Sequence, residues 1–238
     1  MGGLEPSAPG RLLRAGPVSA TYRTTLEGGG VAYRKVYSVA WPWLPLAGLL
    51  KANMPPLDAL QEARNAERLL ALGIEAPRPI ARGASWRLDL RRPAVRRDSF
   101  VLLEEVRGTP LDRALRSAAP AERRRIAEEA GRTIGLMHRA SVYHRDLYLC
   151  HLLWDGASGR LGLIDVARAR RRRWLRGRFR VKDLAALAVS ARGFATRTDI
   201  VRFLRAYFGD RRLSRTARRL CARVLRKAAR MARHGDKA

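Results

Sequence analysis

Three acids and bases stand at spacings that could move a phosphoryl group. Asp146 lies in the run Tyr143-His144-Arg145-Asp146-Leu147-Tyr148-Leu149-Cys150-His151, and Asp165 follows nineteen residues later at the end of the apolar stretch Leu161-Gly162-Leu163-Ile164. Lys35 sits far upstream, in the alternating segment Val31-Ala32-Tyr33-Arg34-Lys35-Val36-Tyr37. One carboxylate can take the proton of an attacking hydroxyl, a second can hold a divalent cation, and a lysine can offset phosphate charge. That set suits transfer of a phosphoryl group from a nucleotide to an alcohol.

The order and spacing sharpen this. Protein-kinase catalytic loops read H-R-D-L-x-x-x-N, with the Asp receiving the hydroxyl proton and the Asn holding a metal. His144, Arg145, Asp146 and Leu147 match, and the Asn place holds His151. Asp165 stands where an acid would hold magnesium on the ATP phosphates, and Lys35 takes the place of the Lys in V-A-I-K. That Lys needs a glutamate from the next helix. Glu62 is the candidate and Glu67 the rival, and spacing alone does not separate them.

These residues need elements to carry them. Apolar residues at helical spacing predict a helix over residues 57–72, with Leu60, Ala63, Ala66, Leu69 and Leu70 as its buried stripe. Thr133 to His138 should end another helix that feeds the Asp146 loop. Trp154 to Gly159 reads as a turn joining two short strands. Phe100 to Val106 is an apolar strand passing into polar backbone, where an adenine would bond main-chain groups at Glu104 and Val106. Gly28-Gly29-Gly30 reads as a hairpin turn, and the phosphate-covering turn is placed at Gly16-Pro17-Val18-Ser19. The predicted fold is α+β, a two-lobed protein-kinase-like architecture. Residues 1–106 form a small β-rich N-lobe with its hinge near 104–106, and residues 107–238 a mostly helical C-lobe.

His144-Arg145-Asp146 with Tyr148, Cys150-His151 and Leu152-Leu153 resembles the lipopolysaccharide core kinase family, in particular its heptose kinase branch. Glu62 with Leu69, Leu72-Gly73-Ile74 and Pro77-Arg78-Pro79 resembles that family's "E…L..LGV..P" segment. Ile164-Asp165 and Val181-Lys182-Asp183-Leu184 resemble its "ID" and "KDL" segments. The similarity covers roughly residues 20 to 208. It implies ATP-dependent phosphorylation of a sugar hydroxyl, heptose or Kdo, in the lipopolysaccharide inner core, with ATP and Mg2+ as cofactors. It favours Glu62 over Glu67, and it places a histidine at the position of His151.

Imidazole is a poor substitute for an amide oxygen on magnesium. Either Asp165 carries the metal with phosphates and water, or His151 contacts nucleotide or acceptor. The first reading is preferred, with His151 a hydrogen-bonding member of the catalytic loop beside Asp146 and Arg145. Arg145 should tether the loop, and Asp183 should anchor its backbone from the following helix.

Forty-nine Lys and Arg against 21 Asp and Glu give a formal charge of +28 over 238 residues. Arg-favouring codons in a high-GC genome account for much of it, yet such charge attracts polyanions whatever its origin. Arg168 to Arg173 and Arg176 to Lys182 form a dense block after Asp165, suited to an acidic glycolipid. Residues 211–233 read as a basic amphipathic helix built on Leu213, Ala217, Leu220, Val224 and Leu225. Trp41 to Lys51 reads either as a loop packed on the N-lobe or as an interfacial wedge with its Trp rings at headgroup depth. Met1 to Pro6 carries no signal pattern, no run of 18 apolar residues exists, and the two cysteines imply no disulfide framework. A cytoplasmic enzyme, peripheral on the inner membrane and bound to an anionic surface, is therefore expected. Two alternatives are a kinase of another small-molecule or protein acceptor, and a non-catalytic polyanion binder. Helix-turn-helix, zinc and aromatic-platform signatures of nucleic-acid recognition are missing. Oligomeric state is not legible.

Overall fold

Alternating apolar positions in the first hundred residues resolve into one antiparallel sheet in which the last two strands exchange places. The computed structural model describes residues 10–42, 58–89, 94–172, 176–210 and 212–235. Strands β1 (Arg11–Ala15), β2 (Ser19–Thr25), β3 (Val31–Pro42), β4 (Pro79–Asp89) and β5 (Ala94–Glu104) form one five-stranded sheet in the order β1-β2-β3-β5-β4. Every neighbouring pair in it is antiparallel. Gly28 and Gly29, at φ 101° and 85°, turn β2 into β3 in a conformation that side chains resist. The Gly16 N–H donates to the Ser19 carbonyl at 2.8 Å in the tighter β1–β2 turn.

Helix α1 (Ala59–Ala71) starts where Asp58 Oδ1 accepts the Leu60 N–H at 3.1 Å. It ends in a Schellman-type turn: Gly73 has φ 74°, and the Ile74 N–H returns to the Leu69 carbonyl at 3.0 Å. Its buried face differs from the expected stripe. Ala59, Glu62, Ala63, Asn65, Ala66 and Leu69 are buried, while Leu60 and Leu70 are only half-buried. A charged residue occupies the apolar face because it has partners there.

The chain divides into two units, Met1–Glu67 with Pro77–Glu105, and Arg68–Ala76 with Val106–Ala238. Residues 68–76, expected with the first lobe, group with the second unit. Glu75 bridges Gly162 in parallel and its carbonyl accepts the Leu163 N–H at 2.8 Å.

The second unit is mostly helical, as expected. It contains β6 (Thr109–Pro110), α2 (Leu111–Ser117), α3 (Pro120–Arg139), β7 (Val142–Tyr143), β8 (Leu152–Asp155), β9 (Arg160–Leu163), β10 (Arg170–Arg171), α4 (Arg176–Ser190), α5 (Arg197–Phe208) and α6 (Arg215–Gly235). Strands β6, β8 and β9 form one small antiparallel sheet, and β7 pairs with β10. Gly131 and Gly135 let α3 press directly on α5: a Cβ on Gly135 would lie 2.7 Å from the Tyr207 carbonyl. Helix α5 begins with a capping box between Thr196 and Asp199 and stops at Gly209, φ 74°. Helix α6 buries Ala217, Val224 and Ala228 under a basic outer face, but Leu225, assigned to its apolar stripe, is 66% exposed. No described helix is long and apolar enough to cross a membrane. The segment from Trp43 to Lys51 lies outside the described residues, as do Arg173 and Arg211.

Candidate active site

In the first unit Lys35 points along β3 to the face that α1 covers. Its Nζ meets Glu62 Oε1 at 2.6 Å, and Glu62 is fully buried. Glu67 lies elsewhere, paired with Arg82 at 2.7 Å on the surface. The Tyr37 hydroxyl donates to the other oxygen, Oε2, at 2.6 Å. Tyr37 escaped the sequence reading, although its signal was there: two residues after Lys35 on a strand, it shares the lysine's face. With both oxygens held, the carboxylate fixes the direction of the lysine. At the end of β5 the Glu104 N–H donates to the Arg78 carbonyl at 2.9 Å, and Glu105 accepts from the Tyr33 hydroxyl at 2.7 Å. Val106, 8% exposed, is the first residue of the second unit after Glu105.

The second unit carries the acids. Asp183, on α4 and fully buried, accepts the His144 N–H at Oδ2 and the Arg145 N–H at Oδ1, both at 2.8 Å. It is the expected anchor of the loop. This clamp holds Arg145 at φ 72°, and Asp165 stands at φ 56°. Two of the three non-glycine residues with positive φ among those described thus flank the candidate chemistry, where strained backbone tends to collect. The Arg145 guanidinium lies over the Phe179 ring at 6.0 Å.

His138 Nε2 donates to Asp183 Oδ2 at 3.2 Å, and its Nδ1 accepts from the Tyr207 hydroxyl at 2.8 Å. Burial holds the His138 and His144 imidazoles below the ordinary range, which favours the uncharged ring of His138 as donor to Asp183. His144 donates from Nε2 to the Ile164 carbonyl at 2.9 Å, tying the loop to the segment that bears Asp165.

His151 Nδ1 lies 2.8 Å from the Asp146 carbonyl. A carbonyl only accepts, so Nδ1 carries a proton. Nε2 of the same ring is 3.7 Å from Asp165 Oδ2. His151 therefore links the Asp146 main chain to the Asp165 carboxylate within one unit. Among the described residues no group of three His, Cys, Asp or Glu side chains surrounds an ion site. The donors present still suit magnesium, which is usually bound through one or two carboxylates and completed by phosphate oxygens and water. Asp165 is suited to this, its side chain 43% exposed.

The basic block after Asp165 is not a uniform patch. Arg170 is buried and donates to the Ala167 and Ala169 carbonyls. Arg168 turns to Asp146 instead, Nε to Oδ2 at 3.3 Å, a contact the sequence reading missed. Arg171 and Arg172 are exposed. Cys150 is exposed beside the loop.

Residues 46–207 match the family model described as the Lipopolysaccharide kinase (Kdo/WaaP) family. The lipopolysaccharide core heptose(I) kinase WaaP of Pseudomonas aeruginosa is 35% identical over 201 residues, covering 79% of this chain and 73% of the relative. The protein of the same name from Escherichia coli K12 is 30% identical over 177 residues, covering 69% of this chain and 65% of that one. The solved structure of WaaP in complex with acyl carrier protein superposes with a TM-score of 0.72 at 32% identity, covering 93% of this chain and 88% of that one.

Proposed function

The chain belongs to the lipopolysaccharide kinase (Kdo/WaaP) family, and from that premise we propose that it transfers the γ-phosphoryl group of ATP to a sugar hydroxyl, heptose or Kdo, of the lipopolysaccharide inner core. The observation that carries this reading is the bridge that His151 makes between the main chain of Asp146, on a loop clamped by Asp183, and the carboxylate of Asp165. Asp146 orients the acceptor hydroxyl and takes its proton as the oxygen attacks phosphorus in line. Lys35, aimed by Glu62 and Tyr37, offsets charge on the nucleotide phosphates, and main-chain groups at Glu104 and Val106 receive the adenine. Asp165 would hold Mg2+, which would supply charge neutralisation to the phosphates. His151 keeps the loop in shape through the Asp146 carbonyl, and Arg145 tethers it. Transfer of labelled γ-phosphate to core glycolipid that lacks the modification tests the reading. Label on the glycolipid with wild type, and none with Asp146→Ala, is the expected result. ATP binding without label on any core would move the acceptor elsewhere.

Two partners belong to the same reading. The enzyme works at the cytoplasmic face of the inner membrane, drawn to anionic lipid by its +28 charge and the exposed Arg218, Arg219, Arg223 and Arg226 of α6. An acyl carrier protein, the partner in the solved WaaP complex, is the second. In its favour is an apolar cavity of about 450 Å³ within the second unit, lined by Leu111, Ile126, Leu187, Phe203, Val224 and others, of a size that suits an acyl chain. Acylated carrier should raise the melting temperature and unacylated carrier should not; equal effects would remove the cavity from the argument.

A further inference from the structure

Asp146 is not isolated. Arg168, whose Nε approaches its Oδ2 at 3.3 Å, closes the short turn Val166–Arg168 that begins at Asp165. One four-residue segment thus presents an acid at its start and brings a cation to the other acid from its end. Lys182 of α4 also lies within electrostatic range of Asp146; burial, then the charge of Arg145, holds its ammonium below the ordinary range. Asp146 therefore faces cations from two different elements.

The strength of the Arg168 contact decides what it can be. Its length exceeds the about 2.7–2.9 Å of a charge-assisted hydrogen bond. The arginine side chain is 46% exposed and the aspartate 22%, and pairs of that kind contribute at most about 1 kcal/mol. A permanent strut would be shorter and buried, as the Lys35–Glu62 pair is. A phosphate or carboxylate can engage the guanidinium fork through two parallel hydrogen bonds, a stronger arrangement than this single approach. An anionic ligand can accordingly take Arg168 from Asp146.

Resting on the kinase reading above, we propose that Arg168 senses the acceptor: it occupies Asp146 when no acceptor is present and exchanges it for a phosphate or carboxylate on the incoming glycolipid. The exchange releases the second Asp146 oxygen for the acceptor hydroxyl. In transfer, the hydroxyl oxygen bonds to the γ-phosphorus as the bond to the bridging oxygen breaks. ADP leaves with that electron pair, and the proton passes to Asp146. Water in place of the acceptor would give ADP and inorganic phosphate by the same accounting. Water carries no anion to draw Arg168 away, so the pair suppresses idle hydrolysis. Arg168 also becomes a specificity residue, favouring charged acceptors over neutral ones.

The test compares the full wild-type chain with Arg168→Gln and Arg168→Lys. It measures ADP release without acceptor, then kcat and KM for intact glycolipid, for phosphate-free core oligosaccharide that keeps its acid sugars, and for neutral heptose. Arg168→Gln should raise acceptor-free ADP release at least about threefold and raise KM for intact glycolipid about tenfold, with KM for neutral heptose unchanged. Arg168→Lys, which keeps the charge without the fork, should fall between. A KM effect that persists on the phosphate-free core assigns the anion to a carboxylate, and one confined to the intact glycolipid assigns it to a phosphate. Unchanged ADP release, with kcat reduced alike on every acceptor, would make Arg168 a fixed support and overturn the inference. A wild type that labels no acceptor overturns the kinase reading itself, and the inference with it.

Discussion

A fully buried glutamate needs partners for both oxygens, and Glu62 has them in Lys35 and Tyr37. The lysine is thereby aimed before any nucleotide arrives, the preorganisation that charge stabilisation requires. Lys35→Ala should therefore raise KM for ATP far more than KM for the acceptor; equal effects on both would remove Lys35 from the nucleotide site. Asp146 is differently placed. It is partly exposed, and its side chain pairs with the half-exposed Arg168 at 3.3 Å, so Asp146→Ala should abolish transfer and leave the melting temperature within a degree or two. His151 acts through Nδ1–H on the Asp146 carbonyl. Asparagine carries an amide N–H of similar reach, so His151→Asn should keep several-fold more kcat than His151→Ala. Equal losses would mean that the work is done by Nε2, on the side of Asp165.

Helix α4 holds the candidate site in shape through one residue. Asp183 accepts from the His144 and Arg145 main chain and from His138 Nε2, and no water can replace those bonds at 0% exposure. Asp183→Ala should cost on the order of 3 kcal/mol, since buried donors lose their acceptor, and should lower kcat as the loop loosens. A denaturant midpoint like that of wild type would contradict this. The α3–α5 crossing makes a parallel case: Gly135→Ala should destabilise by about 1–3 kcal/mol, because the added methyl meets backbone at Tyr207 that cannot move aside.

Elements of this kind also explain what could be read beforehand. The neighbourhood of Asp146, His151 and Asp165, proposed as catalytic, was legible because the first two lie close in sequence and two short strands, β8 and β9, bring the third back beside them. The Lys35 partner was not separable by spacing, since Glu62 and Glu67 occupy the same helix and only tertiary packing turns one of them inward. Leu60 and Leu70 were placed too deep for the same reason: periodicity reports which residues can share a face, not that Glu62 and Asn65 will displace leucines from it. Arg168 was hidden by its neighbours. Among so many arginines, no pattern distinguishes one that reaches back to Asp146 from one, such as Arg170, that is buried against its own backbone.

Over the whole molecule, charge bears on both lipid contact and stability. If a surface this basic engages anionic vesicles as proposed, it does so through many weak contacts, and binding should fall steeply between low and physiological salt; affinity insensitive to salt would point to apolar insertion instead. Acid acts from the inside. His138 and His144 are fully buried, and both imidazoles sit below the usual 6.5 because burial disfavours the cation. The unfolded chain therefore binds more protons than the folded one as pH falls past that value. The stability they contribute is present above pH 6.5 and lost below it, at up to about 1.4 kcal/mol per pH unit for each ring. Urea midpoints at pH 7.5 and 5.5, in enough salt to screen the net charge, should drop on acidification. His138→Gln should start lower at pH 7.5, having lost the Tyr207–Asp183 bridge, and should fall less steeply, since one of the two titrating groups is gone. A midpoint that does not change between the two pH values would mean that both imidazoles already protonate within the fold, and that Asp183 holds the loop as a partner of a cation rather than of a neutral ring.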